Sequence, residues 1–297
     1  MSALGAIDRD LLAGWPLPAP EEGSKEERGS VAVVGGSRQM AGAVLLAGLG
    51  ALRAGAGRLR AGTVESRAGH LAMGLPEAWV FGLPEAESGE IAASAAEALA
   101  ENTRRSDCIA FGAGLNDGQD ARGLAKALVE AEGGFGLVLD AGALPGLPDL
   151  RDALRSRGGR VVVTPHAGEM AKLLGISRDD VEADLEGAAR RAADMFGVVA
   201  VMKGAQTTVA SPAGAAWRYS GGGVGLATSG SGDVLAGVIA GLFARGAEPA
   251  QAACWGVYLH GESGARLMRK IGPLGFLARE IPDVIPQLMA APPGARD

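Results

Sequence analysis

Short apolar runs alternating with helical patterns constrain this chain of 297 residues more than any other feature. Strands are expected at 30–34, 79–81, 108–111, 137–139, 161–163, 198–202 and 207–210, with a further strand at 58–61. Helical patterns fall between them at 43–54, 91–101, 121–132, 180–196, 233–244 and 250–269. Such alternation implies an α/β fold: a mainly parallel central sheet flanked by helices on both faces. Hydrophobic residues at 47% suffice for its core, and 48 glycines with only 4% aromatics suit close helix–sheet packing and backbone-lined ligand loops. No linker or composition shift divides the chain after residue 29. One domain is therefore expected over 29–297, behind a lead-in of residues 1–28 that carries Pro16, Pro18, Pro20 and a charged run.

Charge and composition remove several functional classes. A formal charge of −6 gives no basic footprint for nucleic acid. No apolar stretch is long enough to span a membrane, and the first ten residues lack a signal-peptide pattern, so a cytoplasmic enzyme is expected. Cys108 and Cys254 sit inside apolar runs and read as buried free thiols. His70, His166 and His260 are too scattered to suggest a metal cluster.

The chemistry is carried by loops that follow strands, because ligands of open α/β sheets bind beyond the strand carboxyl ends. The segment Gly225-Leu-Ala-Thr-Ser-Gly-Ser-Gly-Asp233 runs straight into an apolar helix. Gly230 and Gly232 let backbone N–H groups approach a phosphate at a helix N-terminus, and Asp233 becomes a base beside a bound anion. The plain alternative is that Asp233 caps the helix. Lys203 leaves a strand into a Gly204 turn, and with Ala205, Gln206 and Thr207 offers an ammonium, backbone amides and a hydroxyl for phosphate. As a plain hairpin with a solvated lysine it would be unremarkable. In Thr164-Pro-His-Ala-Gly-Glu169, His166 is placed to contact substrate and Glu169 to orient magnesium-bound water; a capping carboxylate beside an exposed imidazole is the alternative. The 35–42 loop and Phe111-Gly-Ala-Gly-Leu-Asn116 are glycine-rich turns, weak signals singly.

Taken in order, these segments resemble the ADP- or ATP-dependent NAD(P)H-hydrate dehydratases of the ribokinase-like superfamily, over nearly the whole chain. Leu139-Asp-Ala-Gly-Ala-Leu144 and Gly256-Val-Tyr-Leu-His-Gly261 belong to the same resemblance. It implies a ribokinase-like fold and a lyase that repairs hydrated NADH or NADPH. ADP or ATP would serve as co-substrate, Mg²⁺ as cofactor, and AMP or ADP would leave with phosphate. Carried over by position, Ala43, Gly114, His166 and Asp233 contact the hydrated dinucleotide, with Asp233 catalytic. Lys203, Gly204, Ala205, Gln206, Thr207, Gly230 and Gly232 contact the nucleotide. An NAD(P)H-hydrate epimerase, often fused at the N-terminus in this family, is expected on a separate chain. Gly142, Ala167, the 223–226 run and Ala265 depart from the family's pattern.

The resemblance also implies a route. Asp233 takes the proton of the C6 hydroxyl as that oxygen attacks the terminal phosphate, and the ring nitrogen then expels the phosphate ester. Three other readings share some of these features: a ribokinase-like kinase for a small alcohol, a non-catalytic nucleotide-binding protein, and a dehydrogenase. The last is disfavoured because the first glycine loop lacks the dinucleotide fingerprint. Small-residue helices suit packing between subunits as well as within one, so a homo-oligomer stays open.

Overall fold

The computed structural model describes residues 3–18 and 27–290. Its strands are β1 (Leu4–Ala6), β2 (Ser30–Val34), β3 (Arg58–Val64), β4 (Ala78–Leu83), β5 (Cys108–Phe111), β6 (Gly136–Leu139), β7 (Val161–Val163), β8 (Val199–Met202), β9 (Gln206–Ala210) and β10 (Ala216–Ser220). The helices are α1 (Arg9–Ala13), α2 (Gly42–Arg53), α3 (Glu65–Gly74), α4 (Ala96–Thr103), α5 (Gln119–Glu130), α6 (Arg151–Ser156), α7 (Ala167–Leu174), α8 (Arg178–Ala183), α9 (Leu185–Phe196), α10 (Ser231–Ala244), α11 (Pro249–Lys270) and α12 (Ile281–Ala290).

The strands form one sheet in the order β1-β10-β9-β8-β7-β6-β5-β2-β3-β4. The pairings from β8 across to β4 are parallel, and only β9 runs against its neighbours. β2, β5, β6, β7 and β8 are buried along their whole length, as parallel strands covered on both faces must be. One core lies between the sheet and α2, α10, α11 and α12; the other packs α4, α5, α7 and α9 on the opposite face. The chain leaves β2 toward β3 and β4, then returns to place β5 on the other side of β2. The order therefore reverses between β2 and β5, and a crevice opens there beyond the strand ends.

The small residues of α2 and α10 meet each other. A Cβ at Gly50 would lie 2.6 Å from the Val234 carbonyl oxygen, and one at Gly241 would lie 2.6 Å from that of Ala51. Their close approach is used within the chain. Val234–Ala244 is buried throughout, which explains why its pattern is apolar all round.

Three features differ from the sequence expectation. The lead-in carries β1, which pairs in parallel with β10, and α1, capped by Asp8; Pro20 and residues 21–26 lie outside the described residues. Gln251 and Trp255 hold this segment by donating to the Trp15 carbonyl oxygen at 3.2 and 2.8 Å. The helix expected over 180–196 breaks at Asp184, whose carboxylate accepts from Gly187 N at 2.8 Å and starts α9 afresh. Finally, β10, α3 and α12 form where no regular element is expected from the sequence; α3 buries only Leu71, whereas α12 buries Ile281, Ile285 and Leu288. Among the described residues no helix is long and apolar enough to cross a membrane.

Candidate active site

The loops after β2 and β5 flank the switch point and are locked together. Gly36 N donates to the Ala113 carbonyl oxygen at 2.7 Å. Gly114 has φ 69°, and a Cβ there would lie 2.7 Å from Ala43 Cβ and 2.8 Å from the Met40 carbonyl oxygen, so only glycine brings this loop onto the start of α2. Ala43 and Gly114 are therefore neighbours. Beneath them Ser37 Oγ and Thr63 Oγ1 are buried without a protein partner.

Helix α10 begins at Gly230, whose φ of 87° sets the left-handed turn into the first helical residue, and no side chain caps it. Asp233 is the third residue of this helix. The capping alternative for Asp233 is thus excluded by geometry, and the helix N-terminus is open to an anion. Gly230 also rests on α2, where a Cβ would run into Leu46, one turn along from Ala43.

Lys203 closes the site from the other side. Its Nζ donates to Asp140 Oδ1 at 2.7 Å, across the end of β6. A Cβ built on Gly232 would lie 3.4 Å from that Nζ and 3.9 Å from Asp140 Oδ2, so ammonium and carboxylate abut the first turn of α10. Burial pulls the Lys203 pKa down, but Asp140, Glu169 and Asp233 outweigh it and hold it above the ordinary lysine value. Burial, reinforced by the nearby Asp140 charge, pushes Asp233 up to about 7 against the opposing pull of Lys203. A carboxylate so placed is a base matched to neutral pH.

His166 and Glu169 make a reciprocal cap at the start of α7. His166 Nδ1 accepts from Gly168 N and Glu169 N at 3.0 and 3.3 Å, while Glu169 Oε2 accepts from His166 N at 2.8 Å. The capping alternative is therefore realised, yet it leaves the imidazole Nε2 on the exposed edge, 3.5 Å from Glu169 Oε1. The cap sits beside the Lys203 turn, since Lys203 N donates to the Pro165 carbonyl oxygen at 2.8 Å.

Placement within the Lys203–Thr207 stretch is uneven. Gly204 and Ala205 form the exposed turn between β8 and β9. Gln206 lines a small cavity of about 200 Å³ with α8, Thr208 and Arg218, so by strand alternation Thr207 faces the other way. A separate cavity of about 590 Å³ opens at the opposite end of the sheet, where Asp107, Phe135 and Arg160 precede β5, β6 and β7. It has no part in this constellation.

Two residues were not assigned roles from the sequence. Asp140 stands directly after β6, and its place at a strand end is the signal that marks it. His260, on α11, is half-buried, with Nε2 2.9 Å from Ser231 Oγ and 3.1 Å from the Ser231 carbonyl oxygen. Burial, with the Lys203 charge adding to it, pushes its pKa down to about 4, so it is a neutral prop behind the first turn of α10. Among the described residues no three His, Cys, Asp or Glu side chains are grouped as a metal cage. The donors present suit a magnesium ion that arrives on nucleotide phosphates, keeps most of its waters and needs one or two carboxylates.

The chain is similar to known proteins over most of its length. The NAD(P)H-hydrate dehydratase family model matches residues 31–287. The ADP-dependent (S)-NAD(P)H-hydrate dehydratase of Xanthomonas campestris is 46% identical over 94% of this chain and 93% of its own length. The bifunctional NAD(P)H-hydrate repair enzyme Nnr of Moorella thermoacetica is 37% identical over 95% of the chain, which spans 54% of that longer protein. The Bacillus subtilis ADP/ATP-dependent NAD(P)H-hydrate dehydratase, solved with ATP/Mg²⁺, superposes with a TM-score of 0.79 at 27% identity, covering 97% of this chain and 98% of that one. The mainly parallel sheet with flanking helices is the ribokinase-like architecture.

Proposed function

This chain belongs to the NAD(P)H-hydrate dehydratase family, and from that membership we propose that it is an ADP-dependent lyase returning hydrated NADH or NADPH to the reduced coenzyme, with release of AMP and phosphate. The observation that carries the chemistry is the half-buried Asp233 carboxylate, with a pKa near 7, on the open N-terminal turn of α10 and beside the Lys203 ammonium.

Asp233 takes the C6 hydroxyl proton while that oxygen attacks the β-phosphorus of ADP. Backbone amides of the 230–233 turn and the Lys203 ammonium face the charge that gathers on the transferring group. The ring nitrogen then expels the phosphate ester, the C5 proton is lost, and no hydride moves. Ala43 and Gly114, on the switch-point side, and the exposed edge of His166 take the dinucleotide. Lys203, Gly204, Ala205, Gln206, Thr207, Gly230 and Gly232 take the nucleotide. A magnesium ion carried by the nucleotide would be held through water by Glu169 and would neutralise phosphate charge.

Residues 29–297 are read as one catalytic domain, supported by a family match that runs over 31–287. The epimerase that serves the same repair is read as a separate chain. The support is that the Xanthomonas relative, named for the dehydratase alone, is matched over 93% of its length, whereas the bifunctional relative is nearly twice as long. The test is recovery of reduced-coenzyme absorbance from hydrated NADH with ADP as donor and AMP and phosphate quantified. A stable phosphorylated product without coenzyme recovery would assign the chain to the kinases instead.

A further inference from the structure

We propose that Asp140 is a positioning residue: it anchors the Lys203 ammonium against the first turn of α10, presenting it to the incoming terminal phosphate and keeping it from pairing with the base Asp233. This rests on the dehydratase reading of the site.

The argument starts from an electrostatic mismatch. The N-terminus of a helix carries partial positive charge, so an ammonium beside Gly232 is unfavourably placed unless an anion accompanies it. Two carboxylates can supply that anion. Asp140 is 3% exposed and accepts from Lys203 Nζ at 2.7 Å; Asp233 lies on the turn itself and interacts with the same ammonium by charge. The two therefore compete for one cation. If Lys203 turned to Asp233, the base would be neutralised by an ion pair, and the phosphate would lose the donor that faces it.

The backbone fixes which carboxylate wins. Asp140 follows β6 directly, and Thr164 N and Gly112 N, hydrogen-bonded to the ends of β6 and β2, hold the neighbouring loops against it. A Cβ on Gly112 would run into the Asp140 carbonyl oxygen, so the β5 loop packs flush on this residue. Ala141, next in sequence, has φ 46°, the only described non-glycine residue with positive φ, and this turn starts at the carboxylate. The other titratable groups facing the cluster are Glu169 from α7, which also attracts Lys203, and His260 from α11, which is neutral. Among the described residues the ammonium's hydrogen bond goes to Asp140.

The experiment combines Asp140→Asn, Lys203→Met and the double variant. Asp233 is titrated in each free enzyme by carboxyl ¹³C NMR, its signal assigned with Asp233→Asn, and turnover of hydrated NADH is measured alongside. Asp140→Asn should lower the Asp233 midpoint from about 7 by at least a unit, because a negative neighbour is removed and the ammonium is released toward the base. Lys203→Met should move it the opposite way. Turnover in Asp140→Asn should fall about tenfold or more, as loss of a charge-assisted contact does, and the double variant should lose little beyond Lys203→Met alone. An Asp233 midpoint unmoved by Asp140→Asn overturns the proposal, as do losses that multiply in the double variant. A wild-type chain that leaves hydrated NADH unchanged would defeat the dehydratase reading, while the titration would still judge the role of Asp140.

Discussion

His260 Nε2 lies 2.9 Å from Ser231 Oγ and 3.1 Å from the Ser231 carbonyl oxygen, so one half-buried imidazole on α11 holds the first residue of α10 in place. The helix turn proposed to face the nucleotide is thus supported from behind by a neutral group. His260→Ala should leave a buried Ser231 hydroxyl unsatisfied, costing about 1–3 kcal/mol in urea unfolding, and should raise the KM for ADP more than it lowers kcat. An unchanged unfolding midpoint and KM would remove this role.

The same histidine gives the fold an acid-sensitive window. Its pKa is lowered from 6.5 to about 4, so the unfolded chain takes up a proton before the folded one does. The contribution is intact above 6.5 and is lost as pH falls from there toward about 4. His260→Asn should flatten the stability profile in that interval, as read from melting temperatures across the pH range.

Asp233 works in the opposite sense. Its pKa is raised from 3.8 to about 7, so folding disfavours the ionised carboxylate. The penalty is absent below the unfolded value, grows as pH rises toward 7 and then stays constant. Asp233→Asn, which cannot ionise, should melt above wild type at alkaline pH and alongside it near the unfolded pKa. Turnover should drop about 10²–10⁴-fold, with ADP still bound in calorimetry. In the wild type kcat/KM should fall as pH drops below about 7, where the base takes up its proton.

Gly142 is one of the positions that depart from the pattern the resemblance implies, and its surroundings leave no room for a side chain. A Cβ there would lie 2.6 Å from the Leu115 carbonyl oxygen and 2.7 Å from the Leu115 carbonyl carbon, both backbone atoms. Gly142→Asp should therefore destabilise by about 1–3 kcal/mol rather than improve turnover. Chemical unfolding of the purified variant reads this directly.

The parallel sheet was legible because its central strands are buried on both faces and appear as short, unbroken apolar runs. Edge elements carry no such mark. β1 has three residues, and Trp217 and Arg218 of β10 are only half buried. The break at Asp184 hides inside a run of good helix formers and appears only when its carboxylate is seen capping Gly187. Asp233 and Lys203 were legible for a local reason, since each stands where a glycine turn meets a regular element. Asp140 and His260 act through partners 63 and 29 positions away, and no local pattern announces such a meeting.

Cys108 and Cys254 are both free and buried, and burial pushes their thiols up, far from the reactive thiolate. The native fold is consequently silent toward maleimides and iodoacetamide. A cysteine substituted at Ala205, on the exposed β8–β9 turn, would be the single handle such reagents find. A fluorophore there would sit two residues from Lys203 and, on the proposed nucleotide contacts, report nucleotide arrival in real time, without removing either native sulfur.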